Sequence, residues 1–405
     1  MDAYVLEWLN LLGRWLHLIA GIAWIGASFY FVWLDNHLLP LKQRDADPAI
    51  SGELWAVHGG GCYNARKYPL GPEAIPEPLH WFKWEAYTTW LSGFFLLCIL
   101  YYVGAEAYLI DRSVADISRG TAIAIGLGSM AGGWIVYDLL CRSPLAASER
   151  GLAAALALLV AAAAWGLCQV FSGRGAYLHF GAMLGTIMVA NVYFVIIPGQ
   201  RALVQARREG RTPDPIHGVR GKQRSVHNTY FTLPVLFAMI SNHYAGTYGA
   251  SHNWAVLIAM SAGGALIRAW FVARHKAHAG KPAPLWMVVA GLALIAGVMI
   301  SLRPPAPTAK SPKAEYDQPA AMQFVRAQAI VMERCASCHA ATPTQPGFTA
   351  APKGVMLDTP ERVLAQVATM RQQLQTRAMP IGNLTQMTDE ERATLIAWID
   401  RGAPH

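Results

Sequence analysis

The most specific chemical signal in the sequence is the run Cys335-Ala336-Ser337-Cys338-His339, which has the C-x-x-C-H spacing of a c-type haem attachment site. Two thiols on one turn can bond covalently to the porphyrin, and the adjacent imidazole then lies under the iron as its proximal ligand. A bare C-x-x-C could be a redox pair or half of a zinc site, but the following histidine favours haem. The sequence therefore predicts one covalent haem c, held by Cys335, Cys338 and His339.

Methionine is the usual sixth ligand of the iron in cytochromes c, and four methionines follow the motif. Met379 is the predicted ligand because it precedes a proline in a loop, which leaves its sulfur free to reach the iron. Met356, Met370 and Met387 are expected to fill gaps in a small core, as methionine often does. The predicted iron ligands are thus His339 and Met379.

The residues around the motif have the pattern of a small helical domain. The stretch 314–405 has the charge density of a soluble protein, and the segment 321–339 is predicted to be a helix that delivers the motif at its end. A final helix is predicted to start at Thr388, with Glu391 three residues later completing a capping box. These features predict a class I-like cytochrome c domain.

The composition of the whole chain is that of a membrane protein. Of its 405 residues, 54% are hydrophobic and only 14% are charged, whereas soluble domains carry about 25% charged residues. The net charge of +8 is concentrated in loops between apolar runs, which favours a membrane protein over one that binds nucleic acid. We therefore expect a lipid bilayer, and no nucleic acid, as a partner.

Eight apolar runs precede residue 303, and each is long enough to cross the hydrocarbon core as a helix of about 20 residues. They are 5–34, 81–103, 119–140, 150–172, 175–198, 225–243, 252–273 and 284–302. The predicted fold is all-α, with an eight-helix transmembrane bundle in residues 1–303, a Pro-rich linker at 304–313 and the cytochrome c domain at 314–405. The second and sixth runs are more polar, so a helix that lies in the membrane plane or is buried remains an alternative there.

Nearly all of the Lys and Arg residues between the runs fall in the odd-numbered loops, which places those loops in the cytoplasm. Eight spans then put both termini on the opposite side. We therefore expect a multi-pass protein of the bacterial inner membrane, with the N-terminus and the cytochrome c domain in the periplasm.

Polar residues inside apolar spans are energetically costly and often mark functional sites. With this orientation, Glu85, His227 and Arg268 fall in the cytoplasmic half of the membrane, and His179 falls in the outer half. For any one of them the alternative is an ordinary hydrogen bond between helices. These four residues are the catalytic candidates because polar residues are unusually dense in the second, fifth and sixth runs.

Several stretches of the membrane segment carry a resemblance to a known family. They are Trp15-Leu16-His17, Gly21 to Gly26, His80 to Tyr87, Gly181 to Asn191 and His227 to Phe237. With the eight runs, the linker and the haem motif, the chain resembles the integral-membrane, cytochrome c-linked urate hydroxylase (urate oxidase) family over nearly its whole length.

The resemblance implies oxidation of urate to 5-hydroxyisourate in purine catabolism. The electrons would pass through the haem to a downstream cytochrome c or a terminal oxidase of the respiratory chain, rather than to O₂. For an anionic purine, Arg268, Asn191 and Asn228 are the expected anion and amide binders, and Glu85 or His227 the expected proton acceptor. A site in the cytoplasmic half would lie far from an outer haem, so either the site is in the outer half or a second carrier bridges the gap.

Two further possibilities remain open from the residues. The segment around His17 is faintly similar to membrane proteins that hold haem b on span histidines, so a haem b on His17 with His179 or His243 is an alternative second cofactor. The alternative functions are a respiratory electron-transfer subunit that takes electrons from quinol or a partner complex, and a transporter or sensor. Internal symmetry typical of a transporter is not evident in the sequence.

Overall fold

The computed structural model describes residues 3–41, 47–275, 282–303, 320–346, 348 and 350–405. The predicted linker, 304–313, lies outside the described residues. In chain order the elements are α1 (Ala3–His37), β1 (Gly52–His58), β2 (Gly61–Lys67), α2 (Trp84–Leu97), α3 (Ala105–Tyr108), α4 (Arg119–Arg142), α5 (Glu149–Cys168), α6 (Gly173–Ala190), α7 (Ile197–Arg208), α8 (Pro215–Ile240), α9 (Ala245–Tyr248), α10 (Asn253–His275), α11 (Leu285–Ser301), α12 (Ala320–Arg334), α13 (Pro360–Gln375) and α14 (Asp389–Asp400).

The fold is mostly helical, as predicted, and a helix occupies each of the eight apolar runs. Five described helices are long and apolar enough to cross a membrane, which is compatible with a membrane protein. They are Val5–His37, Arg119–Arg142, Glu149–Cys168, Gly173–Arg208 and Asn253–His275. Helices α2, α8 and α11 are shorter or more polar, and α11 has only 17 residues. That α2, α8 and α11 cross the membrane stays a prediction, and so does the eight-helix transmembrane bundle.

The all-α prediction misses one antiparallel hairpin. Strands β1 and β2 pair from Gly52 opposite Lys67 to His58 opposite Gly61. The turn between them is Gly59-Gly60, with positive φ angles of 57° and 84°, which glycine adopts without steric cost in a two-residue hairpin. Polar residues occur on both faces of these short strands, so the sequence lacks the alternation typical of a half-buried strand.

Helix α6 lies at the centre of residues 3–303, which belong to the predicted transmembrane part of the chain and which we call the membrane segment. Of the apolar stretch within Gly173–Arg208, 61% is buried, against 6% for α1. Helix α6 contacts α2, α4, α5 and α8, and its buried side chains include Tyr177, Phe180 and Leu184. Helix α1 instead exposes a row of large apolar side chains, as a helix facing lipid would.

Two helices are widened by π-helical segments. Residues Cys98–Tyr102 continue α2, and Asn191–Ile196 join α6 to α7. A π segment inserts an extra residue into the helical ladder, turns the following side chains and is frequent at functional sites. Tyr102 and Asn191 both lie in these segments and both point polar groups into the interior.

The C-terminal residues form a second hydrophobic core. Helices α12, α13 and α14 pack around Val331, Leu395 and Trp398. The predicted capping box of Thr388 and Glu391 is present at the start of α14. The predicted helix 321–339 ends early, at Arg334, so the C-x-x-C-H residues follow the helix in a tight turn. Helix α13 was not predicted.

Glu391 ties the start of α14 to α12. Its carboxylate accepts hydrogen bonds from Arg334 Nη2 at 2.9 Å and from the Thr388 backbone N–H at 2.8 Å. The hydrogen bonds from Arg334, and to a smaller extent the one from Thr388, hold the pKa of Glu391 below its ordinary value. A carboxyl whose pKa is lowered by folding stabilises the fold above its unfolded pKa of about 4.3, and this contribution is lost as the pH falls through the lower, folded value.

We therefore expect Glu391→Gln to lower the Tm of the C-terminal residues at pH 7 and to flatten its decline as the solution is acidified below about pH 4.3. Thermal unfolding of the full-length protein, followed by the α-helical circular dichroism signal and the haem absorbance, measures both quantities. Glu390→Gln is the matched control, because the Glu390 side chain is 83% exposed. Equal pH slopes in wild type and Glu391→Gln would contradict the assignment.

Candidate functional site

Four polar side chains meet inside the membrane segment: Tyr137 of α4, Asn191 of the π segment, and His227 and Asn228 of α8. We call them the Tyr137 cluster. The Tyr137 hydroxyl lies 2.8 Å from His227 Nδ1 and accepts a hydrogen bond from Asn191 Nδ2 at 3.0 Å. Asn191 Nδ2 also donates to Asn228 Oδ1 at 2.8 Å, and Asn228 Nδ2 donates to the Met188 carbonyl at 3.0 Å. These hydrogen bonds offset the cost of removing the groups from water.

A buried ion pair extends the cluster. Arg224 Nη2 donates to Asp138 Oδ1 at 2.7 Å, and its guanidinium lies 5.0 Å from the centre of the Tyr137 ring. The Arg142 Nε atom lies 2.6 Å from the other oxygen of Asp138. Arg224 is only 3% exposed, and its Nε and Nη1 atoms have no hydrogen-bond partner within the described part of the chain. Helices α4 and α8 are therefore joined by charge as well as by hydrogen bonds.

The predicted catalytic residues Glu85, His227 and Arg268 lie on three different helices, α2, α8 and α10. Glu85 lies in the first turn of α2, His227 in the Tyr137 cluster, and Arg268 on α10, where its guanidinium stacks 3.7 Å from the centre of the Phe29 ring. Among the described residues, no hydrogen bond or ion pair joins any two of these three predicted residues. Arg268 is 6% exposed, and its Nε and Nη2 atoms are unpaired within the described ranges. The catalytic roles of Glu85, His227 and Arg268 stay predictions.

His179 is fully buried on α6, apart from the Tyr137 cluster. Its Nδ1 lies 2.9 Å from the Gly175 carbonyl and so carries the proton, and its Nε2 lies 3.3 Å from the Tyr102 hydroxyl. A Cβ atom at Gly126 would lie 2.7 Å from the same Nε2. Nε2 of His179 therefore faces the Tyr102 hydroxyl and the side of α4 on which Gly126 leaves room, so an iron at Nε2 would have to displace the Tyr102 hydroxyl.

The residues predicted to hold haem c suit that group. Nδ1 of His339 donates to the Val355 carbonyl at 2.8 Å, which orients the ring and leaves Nε2 available for a metal. Cys335 and Cys338 are free thiols on the turn before it. Burial raises the pKa of Cys335 to about 12 and also raises the pKa of Cys338, so neither is a thiolate at neutral pH without a bound group.

Of the three methionines expected in the core, Met370 and Met387 lie there, whereas Met356 lies outside it. Met370 and Met387 are 7% and 4% exposed and belong to the C-terminal hydrophobic core, as expected for gap-filling residues. Met379 lies outside that core, in the segment 376–383, which we call the Met379 loop. The loop is anchored by Arg392, whose Nη1 donates to the Met379 carbonyl at 2.7 Å.

The Met379 loop packs against one end of the membrane segment, which we call the docking end. A Cβ at Gly382 would lie 2.7 Å from the Ala107 carbonyl oxygen, and one at Gly249 would lie 1.9 Å from the Thr376 carbonyl oxygen. Only glycine permits such close approach of two backbones. The loop that carries the predicted iron ligand therefore touches the segment around α3 and α9 directly.

A cavity of about 910 Å³ lies at this contact, and we call it the docking cavity. It is lined from one side by residues of 107–114, 168–174 and 248–254, and from the other by residues of 377–392. Its volume is in the range of small-molecule sites. Ser172, the residue before α6, joins that helix to the end of α3 at the cavity. Its N–H donates to the Leu109 carbonyl at 2.9 Å, and its hydroxyl donates to the Tyr108 carbonyl at 2.9 Å.

Sequence reasoning did not single out Tyr137, Arg224, Tyr102 or Arg174 as site residues. The first two carry a recognisable signal, a polar side chain near the end of an apolar run that needs a partner on another helix. Tyr102 and Arg174 carry none, because their partners lie 77 and 68 residues away in the sequence.

Comparison with known proteins identifies the membrane segment. Residues 3–302 match the family described as urate oxidase N-terminal. Neither a curated protein nor a solved structure matches the chain. The match ends before the residues that carry the haem motif.

We expect Tyr137→Phe to lower the free energy of unfolding by about 1–3 kcal/mol, because it leaves buried polar groups of Asn191 and His227 without their common partner. Denaturant titration of the detergent-solubilised protein gives this difference. Tyr193→Phe is the matched control, since Tyr193 is 57% exposed and its hydroxyl makes no hydrogen bond with a described residue. Equal stability of the two variants would show that the cluster does not hold α4, α6 and α8 together.

We expect Met379→Ala to abolish the methionine-to-iron absorption band of the oxidised protein and to lower the haem reduction potential. Met356→Ala is the control, because Met356 also lies outside the C-terminal core. Visible spectroscopy and a redox titration measure the two effects. Loss of the band in Met356→Ala with retention in Met379→Ala would reassign the ligand.

Proposed function

Because this chain belongs to the urate oxidase N-terminal family, we propose that it oxidises urate to 5-hydroxyisourate and passes the electrons to a c-type haem in its own C-terminal residues. The family match supports a urate-related oxidoreductase. One observation supports the link to haem: the same chain continues into Cys335, Cys338 and His339, with His339 Nδ1 held by a carbonyl and Nε2 left for iron.

The chemistry is consistent with this arrangement. Urate is an electron-rich purine and an anion at neutral pH. The urate anion and one water molecule give 5-hydroxyisourate, one proton and two electrons: a C–O bond forms at C5 and an O–H bond of water breaks. When bound, a c-type haem accepts one electron at a time. Each urate therefore requires two successive electron transfers.

The protein residues have three tasks in such a reaction. They must bind an anion, accept the proton released when water attacks C5, and hold the substrate near the electron exit. The contact between the Met379 loop and the docking end supports a direct exit, because the loop that carries the predicted iron ligand touches the membrane segment there. This arrangement needs no second carrier between substrate and haem.

The proposed setting is the bacterial inner membrane, with the C-terminal residues in the periplasm. Five apolar helices support a membrane location, and the basic loops support the orientation. A downstream cytochrome c or a terminal oxidase would then reoxidise the haem.

The test is anaerobic mixing of the oxidised, detergent-solubilised protein with urate while the α-band of reduced haem c is followed. We expect one urate to reduce the haem of two protein molecules, with 5-hydroxyisourate detected by mass spectrometry. Xanthine, a purine that lacks the oxidised C8 of urate, and a soluble quinol are the control reductants.

Fast reduction by the quinol with none by urate would overturn the proposal and favour a respiratory electron-transfer subunit. A double Cys335→Ser, Cys338→Ser variant provides the matched protein control. It should bind no covalent haem and show no α-band.

A further inference from the structure

We propose that urate binds in the docking cavity, between Arg174 and the Met379 loop, and that Asp111 accepts the proton released in the reaction. This inference rests on the proposed function, because it locates the substrate of that reaction. Sequence alone left two positions for the substrate open, one in each half of the membrane, and none of the predicted catalytic residues Glu85, His179, His227 and Arg268 lines this cavity.

The charged residues that line the docking cavity favour an anionic ligand. Six charged residues line the cavity, four of them arginines and two of them aspartates: Arg112, Arg174, Arg377, Arg392, Asp111 and Asp389. Such a surface attracts an anion. Arg377 is paired with Asp389 at 2.8 Å, and Arg112 lies 3.9 Å from a carboxylate of Glu106, whereas Arg174 and Arg392 form no ion pair with a described residue.

Arg392 is occupied with the protein backbone, so Arg174 is the principal anion binder. Nη1 of Arg392 donates to the carbonyl oxygens of Leu374 and Met379, which fixes its position in the C-terminal core. Arg174 instead lies in the first turn of α6, where its Nε donates to Asn242 Oδ1 at 3.2 Å. A guanidinium presents parallel N–H groups that match the edge of an anionic purine.

The surroundings of Arg174 suit a planar ligand. The Tyr108 ring lies 5.3 Å from the Arg174 guanidinium and also lines the cavity, as does Trp254. Asn242, which holds Arg174, is held in turn by the Tyr101 hydroxyl at 2.9 Å. The arginine is therefore positioned before a ligand arrives, which lowers the entropic cost of binding.

Asp111 is the carboxylate suited to accept the proton. Its Oδ1 atom accepts hydrogen bonds from the backbone N–H of Ser113 at 2.9 Å and from the Ser113 hydroxyl at 2.6 Å. It forms no ion pair among the described residues, unlike Asp389, the other carboxylate in the cavity. A carboxylate that is oriented but not neutralised by an arginine can act as a general base.

The docking cavity and the Tyr137 cluster lie at opposite ends of α6. Arg174 is the second residue of α6, whereas Asn191 follows the last residue of that helix. At 1.5 Å per residue, the cluster lies about 25 Å further along the helix axis from the docking end. Pro380, Ile381 and Gly382 of the Met379 loop line the docking cavity itself. A substrate there would give up its two electrons directly across the loop that carries the predicted iron ligand.

The experiment measures urate binding to full-length, haem-containing protein that has been reduced with dithionite, so that bound urate is not consumed. Anaerobic isothermal titration calorimetry gives the Kd. We expect Arg174→Gln to raise the Kd for urate at least tenfold, because a charge-assisted hydrogen bond is lost. Arg208→Gln, on an exposed arginine of α7 that pairs with Glu77, is the matched control and should bind as wild type.

A second variant separates binding from proton transfer. Asp111→Asn should leave the Kd for urate within about threefold of wild type and lower the rate of urate-driven haem reduction at least tenfold. A variant that merely perturbed the fold would change both the Kd and the haem spectrum.

The outcomes distinguish the two levels of the argument. If Arg174→Gln binds urate as wild type while Arg268→Gln raises the Kd tenfold, the docking cavity is not the site, although the proposed function stands. If the wild-type protein neither binds urate nor is reduced by it, the proposed function fails and this inference fails with it. An unchanged reduction rate in Asp111→Asn overturns the role of that carboxylate.

Discussion

The need to pair polar groups inside an apolar interior is the constraint on which the helical arrangement depends. An unpaired buried amide or hydroxyl costs several times what a hydrogen bond contributes. The Tyr137 hydroxyl of α4 contacts both Asn191, in the π segment after α6, and His227 of α8. One hydroxyl therefore pairs polar groups from three elements. The Arg224–Asp138 pair adds charge to the same junction. The C-terminal end of α6 is thereby joined to α4 and α8, two of the helices that contact it.

The two ends of α6 have different chemistry. Its C-terminal end enters the Tyr137 cluster, where the side chains bond to one another or to a carbonyl, with Asn191 Oδ1 and two nitrogens of Arg224 left without a described partner. Its N-terminal end opens on the docking cavity, where Arg174 has no carboxylate partner among the described residues and the Met379 loop is in contact. We interpret the first as structural and the second as the place of chemistry, because the docking cavity offers a substrate space as well as an unpaired charge.

Under the proposed function, the contact between the Met379 loop and the docking end would account for the presence of both parts in one chain. An electron donor and its acceptor that meet at a fixed interface need no diffusional encounter, which is the advantage of holding reactants in place. Close approach of backbones at Gly249 and Gly382 fixes this interface at the level of the main chain. Both helical parts therefore contribute to a single cavity that neither encloses alone.

The sequence by itself determined the apolar helices, the haem motif, the capping box at Thr388 and the core positions of Met370 and Met387, but it wrongly placed Met356 in that core. Each of these is a local pattern, set by residues within a few turns of one another. The end of α12 was predicted at the wrong residue. The hairpin, both π segments and α13 were not predicted, because their sequence patterns are weak or are polar on both faces. Only the tertiary structure decided which polar residues meet, because Tyr102 and His179, or Arg174 and Asn242, lie on different helices far apart in the chain. The tertiary structure also brought Asp111 and Arg174 to one cavity with the Met379 loop, since packing between helices rather than sequence spacing sets such distances.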